Sequence, residues 1–208
     1  MAESLKLCLM TLFHPLVVTE HIKRERGRKM NWAPVIVLLL LALAVRIFSI
    51  YVTHYPLSGV SVRKANMLLE CGKLFVPVLT WVLASYMMTT ILDGETLFTE
   101  TLLFSSYALT PYIVFTPILN IASRLMDGNQ MGLYATLEIG ILAWVVLLMI
   151  LALKEMNGYS VGKTFVMILL TLFTMVMIWA MVILLYTIAS QFVTMIKEVF
   201  YEVIYRID

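Results

Sequence analysis

One pentapeptide of this sequence fits a catalytic motif, the G-x-S-x-G pattern of serine hydrolases, at Gly158-Tyr159-Ser160-Val161-Gly162. In those enzymes the serine stands on a strand-to-helix turn of an α/β sheet, and a histidine follows later in the chain. Here the motif precedes a long apolar run, and the chain has no histidine after it. We therefore interpret Gly158 as the end of one helix and Ser160 as the cap of the next, with an intramembrane hydrolase as the alternative.

The sequence offers no recognisable metal or nucleotide motif. Gly162-Lys163-Thr164 resembles the end of a phosphate-binding loop, but Asn157 stands where that loop needs its first glycine. The 15 methionines are scattered and lack His or Cys neighbours that would hold copper. Cys8 and Cys71 have no metal-binding spacing and are read as unpaired thiols. We predict no metal, no cofactor and no enzymatic activity.

Two charged residues, Arg46 and Glu138, interrupt otherwise apolar runs. A charge inside the membrane is costly unless it finds a partner, water or the interface. Counted from the ends of their predicted spans, both lie about 8 to 10 Å below the same surface at 1.5 Å per residue. We expect them to pair directly or through one water molecule. The alternative is that Arg46 extends alone to the surface while Glu138 faces a polar crevice.

The composition identifies the kind of protein that must position these residues. Of the 208 residues, 62% are hydrophobic and 13% are charged, with a mean hydropathy of +0.94. A soluble domain has about twice that share of charged residues. The composition excludes a secreted disulfide scaffold and a disordered chain. A net charge of +2, concentrated in one run, argues against nucleic acid as a partner.

Five uncharged or nearly uncharged runs are long enough to span a membrane as helices. The sequence predicts an all-α integral membrane protein, a bundle of five transmembrane helices with a short N-terminal interfacial helix. The last run would be about 50 Å long as a helix, so it must tilt, kink or project. The predicted spans run from Trp32 to Val52, Leu74 to Leu92, Thr101 to Ser123, Met131 to Leu153 and Thr164 to Ile196.

The residues before the first span predict the orientation. Leu5–Phe13 is apolar but too short to span, and we expect a helix lying in the interface that ends at Pro15; a disordered tail is the alternative. The following basic run predicts a cytoplasmic N-terminus and an external C-terminus, and its charges should contact anionic lipids. These candidate surface residues are Lys23, Arg24, Arg26, Arg28 and Lys29. We divide the chain into this segment (1–30) and a membrane domain (31–208).

The third span is unusual because it contains two prolines, Pro111 and Pro117. Each proline removes a backbone hydrogen bond and bends the helix, freeing carbonyl groups near Tyr107 and Thr110. Neighbouring hydroxyl groups could repair those bonds or line a cavity, as broken helices do in transporters. The candidate binding residues are therefore Arg46, Glu138, Tyr107, Pro111 and Tyr112.

Four segments carry a resemblance to a known family: HPLVVTEHIKRERG, SSYALTPYIVFTPI, KEMNGYSVGKTF and MIKEVFYEVIYRI. Together they resemble bacterial members of the Yip (Ypt/Rab-interacting protein) domain family. The resemblance implies a five-helix membrane domain with a cytoplasmic N-terminus and no catalytic residue to carry over. Eukaryotic relatives bind Rab-type GTPases, but the long N-terminal region and DLYGP-type motif associated with that role are not found here. The nearest match is His14-Pro15-Leu16, so we expect no GTPase partner.

These observations favour a non-enzymatic scaffold or accessory subunit of a membrane complex in the bacterial plasma membrane. Its expected partners are membrane lipids and another integral membrane protein, such as a transporter permease, or a second copy of itself. The alternative is a small transporter whose site lies around Arg46, Glu138 and the kinked third span. A hydrated cavity around Glu138 would favour the transporter, whereas a dry interior would favour the scaffold.

Overall fold

A computed structural model describes residues 2–24, 32–53 and 66–207, and every regular element in these ranges is helical. The predicted all-α fold is confirmed. Two short 3-10 turns, Ser123–Leu125 and Gly128–Gln130, lie between α6 and α7. The α-helices of the described ranges are α1 (Ala2–Phe13), α2 (Pro15–Arg24), α3 (Ala33–Val52), α4 (Met67–Ile91), α5 (Phe98–Ala108), α6 (Thr110–Ala122), α7 (Met131–Asn157) and α8 (Val161–Ile207).

Five segments of the described chain are long and apolar enough to cross a membrane, as the sequence predicts. The largest shift in a boundary is at the second span, which begins at Met67 rather than at Leu74. Asn66 causes this, because its side-chain oxygen accepts a hydrogen bond from the Leu68 amide at 3.1 Å and caps the helix. The five spans are Ala33–Val52, Met67–Ile91, Phe98–Leu125, Gly128–Asn157 and Val161–Glu198.

The third span, formed by α5 and α6, is the centre of the bundle. In its most apolar stretch of 18 residues, 61% of the residues are buried, more than in the corresponding stretch of any of the other four spans. Helix α3 packs against α5 and α6 on one side, and α7 packs against both on another. Phe104 and Leu109 of the third span are each 1% exposed and join Leu38 of α3 and Leu148 of α7 in one apolar core. The third span therefore separates the first span from the fourth.

The third span is broken where the sequence predicts a bend. Helix α5 ends at Ala108 and α6 begins at Thr110, directly before Pro111. Proline has no amide hydrogen and its ring crowds the carbonyl group four residues earlier, that of Tyr107. The Thr110 hydroxyl donates a hydrogen bond to that carbonyl oxygen at 2.6 Å, which confirms repair by a neighbouring hydroxyl. Pro117 lies inside α6, which continues past it.

The N-terminal segment forms two helices where one is predicted. Helix α1 ends before Pro15, as expected, but Pro15 then begins α2, a position that suits its fixed φ angle. Helix α1 packs against α5 and α6, and α2 packs against α7. Thr11 and Val18 are fully buried in these contacts. Residues 2–24 thus contribute to the bundle core, and the proposed boundary at residue 30 lies outside the described residues.

Helix α8 packs against α4 and α7 over its first half only. Thr164, Met167 and Thr171 are buried, and every described side chain from Trp179 to Glu198 is exposed. The predicted long fifth helix is confirmed: α8 is a single helix of 47 residues, about 70 Å long at helical rise. No contact with the described residues therefore buries the side chains from Trp179 to Glu198.

Candidate functional site

The principal polar site lies where α3 ends and α4 begins, at what we call the α3–α4 end of the bundle. A terminal guanidinium nitrogen of Arg46 is 2.5 Å from Oε2 of Glu70. Lys73 Nζ is 2.5 Å from the other carboxylate oxygen. The Arg46 side chain is 22% exposed and that of Glu70 is 9% exposed. Two cations thus neutralise one nearly buried carboxylate, which makes the charges tolerable within a membrane span.

Helices α6 and α7 add a group of buried polar side chains near this ion pair. The Tyr134 hydroxyl donates a hydrogen bond to Oδ1 of Asn120 at 3.0 Å, and both residues are almost fully buried. Tyr112 is 5% exposed. Its hydroxyl interacts electrostatically with Arg46, without the geometry of a hydrogen bond. The side chains of this site can therefore form hydrogen bonds and stabilise the charge of Arg46 inside the membrane.

The expected direct ion pair between Arg46 and Glu138 is wrong. Arg46 pairs with Glu70, and Glu138 has no ion pair with any described residue within 4.0 Å. The prediction matched the depths of the two residues but had no information on which helices are neighbours. The third span packs against both α3 and α7, and its residue Tyr112 lies near both charges. Tyr112 interacts electrostatically with both, and Glu138 is half-buried.

Sequence reasoning missed Glu70 because it began the second span at Leu74 and left Glu70 in a loop. The signal that could have found it is Asn66, a typical N-cap residue, followed by Glu70 in the first turn of the helix. A helix that starts at Met67 brings Glu70 into the membrane zone next to the end of α3. Asn120 and Tyr134 were also missed, because neither residue carries a charge.

The remaining candidate binding residues of the third span are buried in the protein. Tyr107 is 2% exposed and Tyr112 is 5% exposed, and Pro111 is also buried. Tyr107 belongs to the central apolar core, whereas Tyr112 faces both this core and the Arg46 site. The structure thus brings Arg46, Tyr112 and Glu138 to one region and places Tyr107 and Pro111 at the helix break.

A second polar region lies at the opposite end of the bundle, where α4 ends and α5 begins, the α4–α5 end. Oδ1 of Asn157 accepts hydrogen bonds from the Thr96 hydroxyl at 2.6 Å and the Thr96 amide at 3.2 Å. Gly94 passes so close that an added Cβ would lie 2.6 Å from the Tyr159 hydroxyl and 2.7 Å from Asn157 Oδ1. The loop after α4 is therefore fastened to the end of α7, and only glycine fits at residue 94.

A small cleft of about 20 Å³, room for about one water molecule, adjoins this region. Its polar lining consists of hydroxyl groups and one amide, from Ser85, Thr96, Thr101, Ser105 and Asn157. These groups can form hydrogen bonds to a small neutral group. None of the lining side chains titrates near neutral pH, so the cleft has no group suited to general acid–base catalysis.

The G-x-S-x-G segment caps helices, as the sequence analysis predicts. Gly158 ends α7 with a φ of 63°, in the left-handed region that glycine adopts without strain. The Ser160 side chain accepts a long hydrogen bond, 3.4 Å, from the Lys163 amide at the start of α8. Lys163 Nζ lies 4.4 Å from the centre of the Tyr159 ring, a cation–π contact. Burial and the nearby Asp93 charge raise the pKa of the Tyr159 hydroxyl.

Helix α1 brings a thiol to the break in the third span. Burial raises the pKa of Cys8, and the Thr110 hydroxyl, which is within hydrogen-bonding reach, offsets part of this effect. Cys8 and Cys71 are both free thiols, as predicted. Because Thr110 also repairs the backbone break, α1 contacts the third span at the point where its helix is interrupted.

Only part of the basic run lies in the described residues. Lys23 and Arg24 occupy the last turn of α2, and Arg24 forms an exposed ion pair with Glu20 at 2.8 Å. The other predicted surface residues, Arg26, Arg28 and Lys29, lie outside the described residues. Lys23 and Arg24 remain predicted lipid contacts.

Comparison with known proteins bears on the whole chain. A family model described as the Yip1 domain matches residues 9–195, which covers all five spans almost completely. The chain belongs to the Yip1 domain family. The resemblance noted in the sequence is thereby confirmed, and the protein is a multi-pass membrane protein of this family. No curated protein and no solved structure matches the chain.

The matched region contains both the Arg46–Glu70 ion pair and the Asn157–Thr96 contact. It also contains the start of the exposed half of α8 and ends at Met195, close to the limit of the fifth span. The domain therefore includes a helix surface that this chain alone leaves uncovered.

Proposed function

We propose that this Yip1-domain protein is a non-enzymatic scaffold or accessory subunit that associates with an integral membrane protein in the bacterial plasma membrane. The observation that carries the proposal is the length and exposure of α8. Its apolar segment Val161–Glu198 has 38 residues, and only 6% of its most apolar window is buried. At helical rise this segment is about 57 Å long.

The hydrocarbon core of a bilayer alone cannot cover such a segment. The hydrocarbon core is about 30 Å thick, and membrane helices tilt by up to about 40°. At that tilt about 26 residues cross the core, which leaves about 12 residues outside it. The last 12, residues 187–198, include exposed apolar side chains such as Phe192 and Ile196, whose contact with water is unfavourable at about 25 cal/mol per Å². Contact with another membrane protein removes that surface from water.

Photo-crosslinking in native membranes tests the proposal. A photoreactive residue replaces Phe192, in the exposed half of α8. The matched control carries it in place of Leu40, an exposed residue of α3. The two native side chains are 58% and 57% exposed. We expect a stoichiometric protein adduct from position 192 and lipid adducts alone from position 40. Lipid adducts alone from both positions would contradict the scaffold proposal.

The proposed orientation has the N-terminus in the cytoplasm and the C-terminus outside. It is supported by the basic residues that this topology assigns to the cytoplasm, among them Lys23, Arg24, Lys154 and Lys163. Single cysteines at Ser160 and Asn129, both exposed and at opposite ends, test it in a background without Cys8 and Cys71. A membrane-impermeant maleimide should label position 129 in intact cells and position 160 only after lysis. The reverse labelling pattern would contradict the proposed orientation.

The second candidate is a small permease, and Glu138 is the observation that favours it. This carboxylate is half-buried within the fourth span, has no ion pair among the described residues and interacts electrostatically with Tyr112 and Tyr134. Ionisable groups in such positions often serve ion or substrate pathways. Glu138→Gln should then abolish transport in vesicles without changing thermal stability. Unchanged solute fluxes in the Glu138→Gln variant would rule out the permease function.

A further inference from the structure

The cleft at the α4–α5 end has the size of a site for one water molecule. Its volume is about 20 Å³, and a buried water molecule needs about 10 to 15 Å³ of such space. The lining brings together Ser85 of α4, Ser105 of α5, Asn157 of α7 and Thr96 of the loop between α4 and α5. Ser105 lies about 10 Å from the start of α5 at 1.5 Å per residue, so the cleft reaches into the third span.

Two groups in this lining have hydrogen-bond donors that are not used. Ser105 is 4% exposed, and its hydroxyl makes no hydrogen bond to any residue that the structure describes. The hydroxyl of the next residue, Ser106, donates to the Leu102 carbonyl at 2.9 Å. Trp81 is 8% exposed, and its indole N–H also has no hydrogen-bond partner among the described residues. Polar groups buried in a protein are normally hydrogen-bonded to protein or to ordered water.

The other hydroxyl groups of the lining have used their hydrogens and can only accept. Ser85 donates to the Val82 carbonyl at 3.2 Å. Thr96 donates to Oδ1 of Asn157 at 2.6 Å. Each of these hydroxyl oxygens still has lone pairs that can accept a hydrogen bond. The cleft therefore requires an occupant that both accepts and donates hydrogen bonds.

We propose that this cleft binds one structural water molecule, which bridges Ser85 of α4 and Ser105 of α5. Water is donor and acceptor at once, and a buried water molecule typically makes about three hydrogen bonds. It is also neutral, as a lining without charged side chains requires. The water molecule would hold α4 and α5 together next to the contact between Thr96 and Asn157. The inference is independent of the proposed function, because the site lies within a single chain.

X-ray radiolysis of the full chain in lipid nanodiscs tests the proposal. Radiation splits a bound water molecule into radicals that oxidise the nearest side chains, and methionine is readily oxidised. Met149 and Met156 line the cleft and are 6% and 2% exposed. Met167 of α8 is fully buried but does not line the cleft, and it is the internal control. We expect oxidation of Met149 and Met156 to be faster than that of Met167. Equally slow oxidation of all three residues would show that the cleft is dry and would overturn the proposal.

Hydrogen peroxide in solution distinguishes a bound water molecule from an open cleft. Because peroxide is larger than water and must diffuse in, Met149 and Met156 should resist it as Met167 does. Rapid oxidation of the two cleft residues by dissolved peroxide would mean that bulk solvent enters, and the bound water would be wrong.

A substitution that fills the cleft tests the position of the water molecule. Ser105→Val places methyl groups in the space of the water molecule, and radiolytic oxidation of Met149 and Met156 should then fall to the rate of Met167. Unchanged fast oxidation in the folded variant would overturn the bridge at Ser105. If this variant does not fold, the comparison of the three methionines in the unmodified chain still decides the proposal.

Discussion

Replacing Glu70 by glutamine tests the assignment of the polar site most directly. The substitution keeps the size of the side chain and one acceptor oxygen but removes the charge that faces Arg46 at 2.5 Å. Removing one partner of a buried ion pair costs about 3 to 5 kcal/mol, because the other charge is left uncompensated. Arg46 is 22% exposed, so part of its charge can be hydrated. We therefore expect about 3 kcal/mol, the lower end of that range.

The assay is unfolding of the purified protein in mixed micelles by titration with SDS, followed by tryptophan fluorescence. A loss of about 3 kcal/mol corresponds to a more than hundredfold change in the folding equilibrium. The matched control is Glu138→Gln, which neutralises a half-buried carboxylate near the same end of the bundle that has no ion pair among the described residues. The control should cost less than about 1 kcal/mol.

A double substitution distinguishes the ion pair from general disturbance of the site. Arg46→Gln combined with Glu70→Gln removes both charges, and its cost should fall below the sum of the single costs by at least about 1 kcal/mol. The reasoning is refuted if the single costs simply add, or if Glu138→Gln destabilises the protein as strongly as Glu70→Gln. Either result would mean that the Arg46–Glu70 ion pair does not stabilise the site in the way described here.

Three further predictions follow from the packing. Gly94→Ala should lower the free energy of unfolding by about 1 to 3 kcal/mol because the new methyl group has no room. The control is Gly140→Ala, where an added methyl group has no neighbouring atom within 4 Å. This substitution should be neutral or slightly stabilising in the same titration. Maleimide should modify the Cys8 thiol slowly at pH 7.5, because a raised pKa leaves less thiolate. The rate of modification should rise about tenfold per pH unit. Rapid labelling at pH 7.5 would contradict the burial of this thiol. Thr110→Val should cost about 1 kcal/mol in thermal unfolding through loss of its bond to the backbone. An equal cost for Thr101→Val, at a half-buried threonine whose hydroxyl bonds the Leu97 carbonyl, would contradict a special role for the helix break.

The fold could be predicted from the sequence because the membrane acts as a strongly selective solvent. Backbone groups cannot remain unpaired in hydrocarbon, so each long apolar run must become a helix. The break at Leu109 was predictable for a similar reason, since Pro111 lacks an amide hydrogen and crowds the Tyr107 carbonyl. The helix-capping roles of Gly158 and Ser160 were also predictable from local chemistry alone.

The partner of Arg46 could not be predicted in this way. Depth in the membrane follows from counting residues along a helix, and it placed Arg46 and Glu138 at similar heights. Which helices are neighbours depends on how side chains of all spans fit together, and the third span separates α3 from α7. Because the sequence analysis did not recognise Asn66 as a helix N-cap, it also left Glu70, the actual partner, outside the second span.

The sequence by itself determined the class of protein, the number of spans, the helix break and the excess length of the fifth span, because these depend on local hydrophobicity and backbone chemistry. The tertiary structure decided which charges meet, where α1 and α2 pack, and which half of α8 is left uncovered. Helix α8 shows the difference. Its length can be read from the sequence, but only the packing of Thr164–Ile178 against the bundle shows that the side chains from Trp179 to Glu198 are exposed.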